Sequence, residues 1–352
     1  MPPKEWQSVM NVRIWTPREP TVWYLVHSPA ASYADVAWAL KPGLSQPSAM
    51  IIDGIRSFLR KRKTTSIHSK MIKFDEASHT YLSVDPDKPV RWTSVTSLVS
   101  LYKPEFDKVA VAERSSKNPR SKWFGMDPEK IQQLWKEETT RSTDAGKWYH
   151  YQRETELTNL DTYNQNGVSY AIVKPAHADN FKLAPNQKLV NNTIYPEYMV
   201  YSYTDNICGQ SDKVEVHDNK VSITDYKTIK TLKTEGFVNW EGMSQRMQPP
   251  ISHLDDCHLV HYTLQLSLYL YMILKHNPQF KPGILNIEHI KFKLDSMDEY
   301  GFPIYHKNDS GEFVVEEIKN YQVPYMKEEV LAILRDFKNN KDVYIEKLSN
   351  KK

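Results

Sequence analysis

The stretch from residue 209 to residue 228 constrains the fold most, because it reads as a β-hairpin with charged residues at its open end. Apolar and polar residues alternate on both sides of Asp218-Asn219, a dipeptide typical of tight turns. Antiparallel pairing about this turn brings the start of the first strand beside the end of the second. Asp212 and Asp225 are therefore expected to lie close together.

Lys227 follows Asp225 by two positions, so the two side chains share one face of the predicted strand. Two neighbouring carboxylates that both stay ionised require a cation between them. Oxygen ligands from short side chains suit Mg²⁺ or Mn²⁺, and a nearby lysine can orient a water and offset negative charge. The alternative interpretation is a surface hairpin whose charges are solvated.

A helix is predicted over residues 144–157, where three residues stand out. Gly146, His150 and Glu154 lie four positions apart and therefore stack on one helix face. The glycine allows close approach to another element, while an imidazole and a carboxylate at this spacing can both reach one site. The alternative is an ordinary surface histidine beside a glutamate.

Periodicity predicts the remaining secondary structure. An apolar stripe predicts a helix over residues 258–275, in which His261, Gln265 and Tyr269 form a polar row that needs hydrogen-bond partners if buried. The other predicted elements are helices over 33–40 and 327–348 and strands over 21–26, 194–203 and 284–294. Residues 158–190 show little periodicity and are expected to be loop-rich.

Four motifs occur in a fixed order between residues 146 and 269, namely G-x-x-x-H-x-x-x-E, G-x-x-D, D-Y-K-T and Q-x-x-x-Y. This ordered set resembles the RecB-like branch of the PD-(D/E)XK nuclease superfamily, and most of all its phage-type and mitochondrial genome maintenance exonucleases. The resemblance implies an α/β fold with a restriction-endonuclease-like core, in which a mixed central sheet is flanked by helices. It also implies hydrolysis of DNA phosphodiester bonds with Mg²⁺ or Mn²⁺.

The resemblance assigns a role to each motif residue. The metal ligands that it implies are His150, Asp212, Asp225 and the carbonyl oxygen of Tyr226. Lys227 would position the attacking water and help to deprotonate it. The resemblance also implies a product with a 5′-phosphate. Glu197, on the strand before G-x-x-D, is either a further ligand of the metal or its water, or an edge-strand charge that follows Pro196.

The same resemblance gives supporting roles to residues on the two predicted helices. Gln265 and Tyr269 would act beside the active site, near the DNA and the catalytic lysine. Gly146 and Glu154 would support the metal-binding histidine from its own helix face. These assignments are expectations that the geometry of the folded chain has to meet.

Composition limits the cofactors and the compartment. Cys208 and Cys257 are the two cysteines of the 352-residue chain, too few for the four thiolates of an iron–sulfur cluster. Sparse cysteines fit a reducing intracellular compartment, such as the cytoplasm of a phage-infected cell or the mitochondrial matrix, rather than secretion. No apolar run approaches the length of a membrane helix, and no Gly-rich nucleotide loop is present, so neither membrane insertion nor an ATP-driven motor is expected.

Residues 1–65 read as a basic appendage of unknown role that precedes a nuclease domain over residues 66–352. The first 70 residues contain ten Lys or Arg and four Asp or Glu, although the net charge of the whole chain is only +3. The densest basic run spans residues 56–63. It is either a phosphate-binding patch or a solvated linker.

Basic residues interleaved with aromatic ones suggest where DNA binds. Lys122 precedes Trp123 and Phe124, which are expected to be exposed, and Lys230 precedes Trp240. Exposed aromatic rings stack on unpaired bases, and lysines form ion pairs with phosphates. Single-stranded DNA ends are therefore the expected substrate. A plain surface loop is the alternative for the first of these segments.

Two other functions fit the same sequence. One is a structure-specific endonuclease or nickase on the same core, because exonuclease behaviour depends on loops that the sequence does not resolve. The other is a non-catalytic nucleic-acid binding protein. Proteins of DNA replication or recombination are the expected partners beyond DNA itself.

Overall fold

The computed structural model describes residues 72–75, 80–83, 90–178, 181–183, 188–239 and 241–350, together with the backbone of three strands nearer the N-terminus. The chain divides into two compact units, Met1–Ile67 and His68–Lys352. None of the helices in these described ranges is long and apolar enough to cross a membrane.

The first unit contains an antiparallel sheet in the order β1-β2-β3. Its strands are β1 (Val9–Ile14), β2 (Thr21–Val26) and β3 (Ala37–Ala39). The strand predicted over 21–26 is confirmed, but the helix predicted over 33–40 is wrong at Ala37–Ala39. These residues pair with β2 instead, since pairing with a neighbouring strand outweighs the helix preference of alanine. The basic run at 56–63 lies outside the described residues.

The second unit contains the remaining helices and strands. The helices are α1 (Val95–Ser100), α2 (Lys108–Lys117), α3 (Pro128–Thr158), α4 (His258–His276), α5 (Lys327–Asn339) and α6 (Lys341–Asn350). The strands are β4 (Ile72–Asp75), β5 (Thr80–Ser83), β6 (Thr93–Ser94), β7 (Thr162–Gln165), β8 (Val168–Ile172), β9 (Ala176–Ala178), β10 (Phe181–Leu183), β11 (Thr193–Ser202), β12 (Ile207–His217), β13 (Lys220–Lys227), β14 (Lys281–Phe292), β15 (Leu294–Met297), β16 (Pro303–Tyr305) and β17 (Val315–Val323).

A mixed central sheet organises this unit, in the order β17-β14-β13-β12-β11-β8-β7, with β6 paired to β12 outside that path. Parallel pairing joins β13 to β14, β8 to β11 and β6 to β12, and the other neighbours are antiparallel. A smaller sheet has the order β5-β4-β10-β9, and β15 pairs with β16. The predicted α/β class, with a mixed central sheet flanked by helices, is therefore confirmed.

Helices cover both faces of the central sheet because alternate side chains of its strands are apolar on each side. Val214 and Ile223 belong to the main core together with Leu266 and Leu270 of α4. Tyr226, whose side chain points to the opposite face from Ile223, packs instead with residues of α3 and β14. Full burial of one leucine contributes about 1.5–3 kcal/mol, so the apolar stripe fixes α4 against the sheet.

The predicted hairpin is confirmed as β12 and β13. His217 pairs with Lys220, so Asp218 and Asn219 form the two-residue turn. Their φ angles are +49° and +57°, as a type I′ turn requires at both central positions. This turn matches the twist of the strands and fixes the register at the far end of the hairpin, where the acidic residues lie.

Several predicted boundaries were wrong. Residues 158–190, expected to be loop-rich, contain strands β7 to β10, which pair in spite of their weak apolar pattern. The predicted helix over 144–157 is the second half of α3, a helix of 31 residues. The helix predicted over 327–348 is two helices, α5 and α6, separated at Asn340.

Gly209 on β12 provides a test of how closely α4 packs on the sheet. A Cβ atom at this position would overlap Cε1 of the Tyr269 ring. Gly209→Ala is expected to lower the free energy of unfolding by about 1–3 kcal/mol through overpacking. Urea unfolding of Gly209→Ala, Tyr269→Ala and the double variant provides the measurement. In the double variant the alanine at position 209 has room, so the loss in free energy of unfolding should be smaller than the sum of the two single losses. A loss equal to that sum would contradict the overlap.

Candidate metal centre

Three carboxylates are brought together by the register of the central sheet. In the antiparallel pairing of β11 and β12, Pro196 pairs with Lys213 and Tyr198 with Ser211, so Glu197 and Asp212 lie between these pairs. In the hairpin, Lys213 pairs with Thr224, which brings the next residues outward, Asp212 and Asp225, side by side. Asp212 and Asp225 are buried, with 9% and 1% of their surface exposed. The sequence-based expectation that these two aspartates are neighbours therefore matches the strand register.

His150 of α3 approaches two of these carboxylates. Its Nδ1 atom lies 3.4 Å from Oδ1 of Asp212 and 3.9 Å from Oε1 of Glu197. One ligand atom from each of the three side chains lies within 4.8 Å of the others. An imidazole nitrogen and two carboxylate oxygens form a donor set that suits Mn²⁺, and Mg²⁺ through the oxygens, so the residues fit a divalent cation.

The backbone of β13 also contributes to this cluster. The amide N–H of Tyr226 donates a hydrogen bond to Oδ2 of Asp212, at 2.6 Å. Oδ1 of the same carboxylate faces His150, so the two oxygens are engaged in different directions. The Tyr226 ring packs edge-on against the imidazole of His150, with 5.7 Å between the ring centroids. The proposed ligand role of the Tyr226 carbonyl stays a prediction.

Asp225, which is buried, and Lys227, which is half-buried, form an ion pair next to the cluster. Nζ of Lys227 lies 2.5 Å from Oδ2 of Asp225. The same ammonium group lies 4.8 Å above the ring centroid of Tyr262 on α4, a cation–π contact. The group of possible ligands consists of His150, Glu197 and Asp212 and does not include Asp225. The role of Asp225 as a metal ligand therefore also stays a prediction.

Electrostatic interactions within the cluster shift two pKa values in opposite directions. Burial lowers the pKa of His150, but the carboxylates of Asp212 and Glu197 outweigh burial and raise it to about 10. Burial raises the pKa of Asp212, but His150 and Lys227 outweigh burial and lower it. Without a metal, the imidazolium of His150 therefore provides the positive charge that two neighbouring carboxylates require.

Burial and mutual attraction have opposing effects on the pKa values of Asp225 and Lys227. Burial raises the pKa of Asp225 to about 6, although the neighbouring ammonium group of Lys227 opposes the shift. Burial lowers the pKa of Lys227, but Asp225 and Asp212 outweigh it, so the net pKa is raised. At neutral pH both groups are charged, and Asp225 becomes protonated as the pH falls through about 6.

An open cleft of about 1200 Å³ contains most of the predicted site residues. The predicted residues that line it are Gly146, His150, Glu154, Glu197, Asp212, Tyr226, Lys227, Gln265 and Tyr269. Helix α3 forms one wall, and its start is fixed by Asp127, whose side chain accepts a hydrogen bond from the Glu129 N–H. Residues from four separate motifs therefore border one concave surface.

Two of the supporting predictions have a direct structural counterpart. A Cβ atom at Gly146 would lie 3.0 Å from Oγ1 of Thr228, so the glycine allows α3 to approach the end of β13 closely. On α4, the side-chain amide of Gln265 donates a hydrogen bond to the Tyr269 hydroxyl at 3.0 Å. The predicted polar row on this helix therefore has the partners that burial requires.

Glu197 has an unusual backbone conformation for a strand residue. Its φ angle is +47°, in the left-handed region that side chains other than those of Gly, Asn and Asp rarely adopt. Its carboxylate accepts a hydrogen bond from the side-chain amide of Gln210, which lies on β12 two residues before Asp212. Strained residues of this kind are frequent at functional sites, which favours the ligand role of Glu197 over a plain edge-strand charge.

The exposure of Trp123 differs from the one predicted for a nucleic-acid contact. Trp123 was expected to be exposed, but only 7% of its surface is, because it packs against Tyr300 and Phe302. Its predicted role as a stacking ring is therefore wrong. Lys122 donates a hydrogen bond to the Tyr300 carbonyl oxygen at 2.6 Å, and so helps to close this cluster.

The other predicted contact residues differ in accessibility. Phe124 is 58% exposed but does not line the cleft. Lys230 is exposed and follows the end of β13 by three residues. Trp240 lies outside the described residues. None of these positions is tested as a DNA contact, so they stay predictions.

Sequence reasoning missed two residues that contact the site. Tyr262 lies beneath the Lys227 ammonium group, and Gln210 binds Glu197. The signal for Tyr262 was its position three residues before Gln265, one turn along the same helix. The signal for Gln210 was its position two residues before Asp212, which puts both side chains on one face of β12.

Fold and site together define an α/β protein with a histidine–carboxylate cluster and an Asp–Lys ion pair at an open cleft. Comparisons with family models, curated proteins and solved structures find no match to this chain. The RecB-like resemblance therefore rests on the four sequence motifs and stays a prediction.

Metal affinity is expected to rise with pH, because a metal that binds His150 must displace the proton that its raised pKa favours. Displacement of one proton gives up to about a tenfold gain in affinity per pH unit. Mn²⁺ titration calorimetry between pH 7 and 8.5, above the pKa of Asp225, measures the slope. His150→Ala should bind more weakly and with a flatter pH dependence. An unchanged titration in this variant would mean that His150 has only a structural role.

Proposed function

We propose that this chain is a metal-dependent deoxyribonuclease that hydrolyses phosphodiester bonds at single-stranded DNA ends, in DNA replication, recombination or repair. The main support is convergence at one cleft. His150, Glu197 and Asp212 come from α3, β11 and β12, and their ligand atoms lie within 4.8 Å of one another. Lys227 and Gln265, from two further motifs, line the same cleft.

The donor set of His150, Glu197 and Asp212 would hold Mg²⁺ or Mn²⁺, with Asp225 close by. When bound, such an ion polarises a phosphoryl oxygen and offsets the negative charge that develops during hydrolysis. The protein contributes the orientation of its ligands. Hydrogen bonds from Tyr226 and Gln210 fix the carboxylates of Asp212 and Glu197.

Lys227 supplies a fixed positive charge beside the ligands. Its raised pKa keeps the ammonium form at neutral pH, so in the metal-free protein it orients a water and stabilises charge rather than accepting a proton. The pair with Asp225 holds the ammonium group in place. For Lys227 to help in deprotonating the water, its pKa has to fall. It would fall when a bound cation offsets the negative charge of Asp225 and Asp212.

The direct test is cleavage of an end-labelled single-stranded oligonucleotide with Mg²⁺, with Mn²⁺ and with EDTA. Metal-dependent loss of full-length substrate supports the proposal, and equal stability of the substrate in all three conditions contradicts it. Circular single-stranded DNA separates the two nuclease activities. An exonuclease leaves the circle intact, whereas the endonuclease or nickase cuts it.

A further inference from the structure

Helix α3 presents a second row of side chains to the cleft beside the row that contains His150. Thr143, Lys147, Tyr151 and Thr155 line the cleft and lie four positions apart, so they form one continuous stripe. Tyr151 follows His150 directly in sequence. The outer row therefore runs beside the row that contains His150, with Tyr151 nearest to this candidate ligand.

Tyr151 differs from the other aromatic residues that line the cleft. It is 64% exposed, whereas Phe74, Tyr226 and Tyr269 are only 5%, 3% and 3% exposed and Tyr81 is half-buried. A buried ring cannot accept a base on its face, but the ring of Tyr151 is accessible from within the concave surface. Lys147, which is also exposed, lies one helical turn away from it, at a rise of about 6 Å.

We propose that Tyr151 and Lys147 form a subsite for one unpaired nucleotide of single-stranded DNA, next to the candidate metal centre. This proposal rests on the proposed nuclease function. The phenol ring of Tyr151 stacks on the base, and the ammonium group of Lys147 forms an ion pair with a phosphate. Stacking of this kind requires no particular base, because every base has a π-face, and it excludes a base that is still paired within a duplex.

Location distinguishes Tyr151 from an ordinary exposed ring. Single apolar side chains at a protein surface are common and need no function. Phe106 is such a ring, with a similar exposure of 68% but a position outside the cleft. It therefore serves as a matched control, since the two rings differ in position much more than in burial.

The test compares Tyr151→Ala, Tyr151→Phe and Phe106→Ala by fluorescence anisotropy with a short labelled oligodeoxythymidine in EDTA at low salt. Tyr151→Ala is expected to weaken binding roughly fivefold to a hundredfold, the range for loss of one stacked base. Tyr151→Phe keeps the ring and should stay within about twofold of wild type. Phe106→Ala should have no effect. Lys147→Ala should reduce the salt dependence of binding.

An oligonucleotide without bases provides the second measurement. It cannot stack, so wild type and Tyr151→Ala should bind it equally. Equal affinity of these two proteins for the base-containing oligonucleotide would overturn the subsite. If wild type cleaves DNA and Tyr151→Ala has an unchanged KM, the subsite fails alone. If wild type neither binds nor cleaves single-stranded DNA, the subsite and the proposed function fail together.

Discussion

Asp212→Asn is expected to reduce DNA cleavage by on the order of a thousandfold or more, about 4 kcal/mol in the activation barrier, while the chain stays folded. Asparagine keeps the size of the side chain, and its oxygen can still accept the hydrogen bond from the Tyr226 N–H. The substitution removes the negative charge that faces His150 at 3.4 Å. Both the metal affinity and the raised pKa of His150 should therefore fall.

The matched control for this variant is Asp205→Asn. Asp205 forms an ion pair with Lys275 at 2.7 Å and does not line the cleft. Its substitution should change thermal stability but leave the cleavage rate and the Mn²⁺ titration as in wild type. A purified, folded Asp212→Asn protein that keeps more than a few per cent of the wild-type rate would rule out the metal centre described above.

Lys227→Met is expected to lower the cleavage rate by roughly a hundredfold to a thousandfold, the range for loss of one group that stabilises transition-state charge. Unlike Asp212→Asn, it should strengthen metal binding, since a positive charge that competes with the cation is removed. The measurement is a Mn²⁺ titration beside a cleavage assay, both at about pH 8. That pH is needed because the pKa of Asp225, already about 6, rises further without Lys227.

Lys213→Met is the control for that experiment. The Lys213 side chain is 17% exposed, the Lys227 side chain is 16% exposed, and each lies near a carboxylate. Lys213 lies on β12 and does not line the cleft, so its substitution should leave the rate unchanged. Equal losses in the two variants would show that removal of a half-buried lysine is enough to disturb the protein.

Local signals made the hairpin and α4 predictable. The Asp218-Asn219 turn and the alternation around it depend on neighbours in sequence, and they fixed which side chains share a face. The apolar stripe of α4 likewise depends on a repeat within one helix. Asp212, Asp225 and Lys227 could therefore be grouped in advance, because one hairpin brings them together.

Long-range packing explains what sequence reasoning missed. Trp123 is buried by Tyr300 and Phe302, which lie more than 170 positions away in the chain, so no nearby pattern indicated its burial. The full length of α3 was missed because this helix is largely polar. Its beginning had a readable signal in Asp127-Pro128, an N-cap followed by proline at the first helical position.

The left-handed backbone conformation of Glu197 lowers the stability of the fold at a residue of the candidate metal centre. A non-glycine residue in a sparsely populated conformation costs on the order of 1 kcal/mol or more, which glycine would avoid and asparagine would reduce. Either replacement would remove the carboxylate that lies beside His150. Directed evolution for heat resistance alone should therefore select against the glutamate here, whereas selection for activity should keep it and compensate elsewhere in the fold.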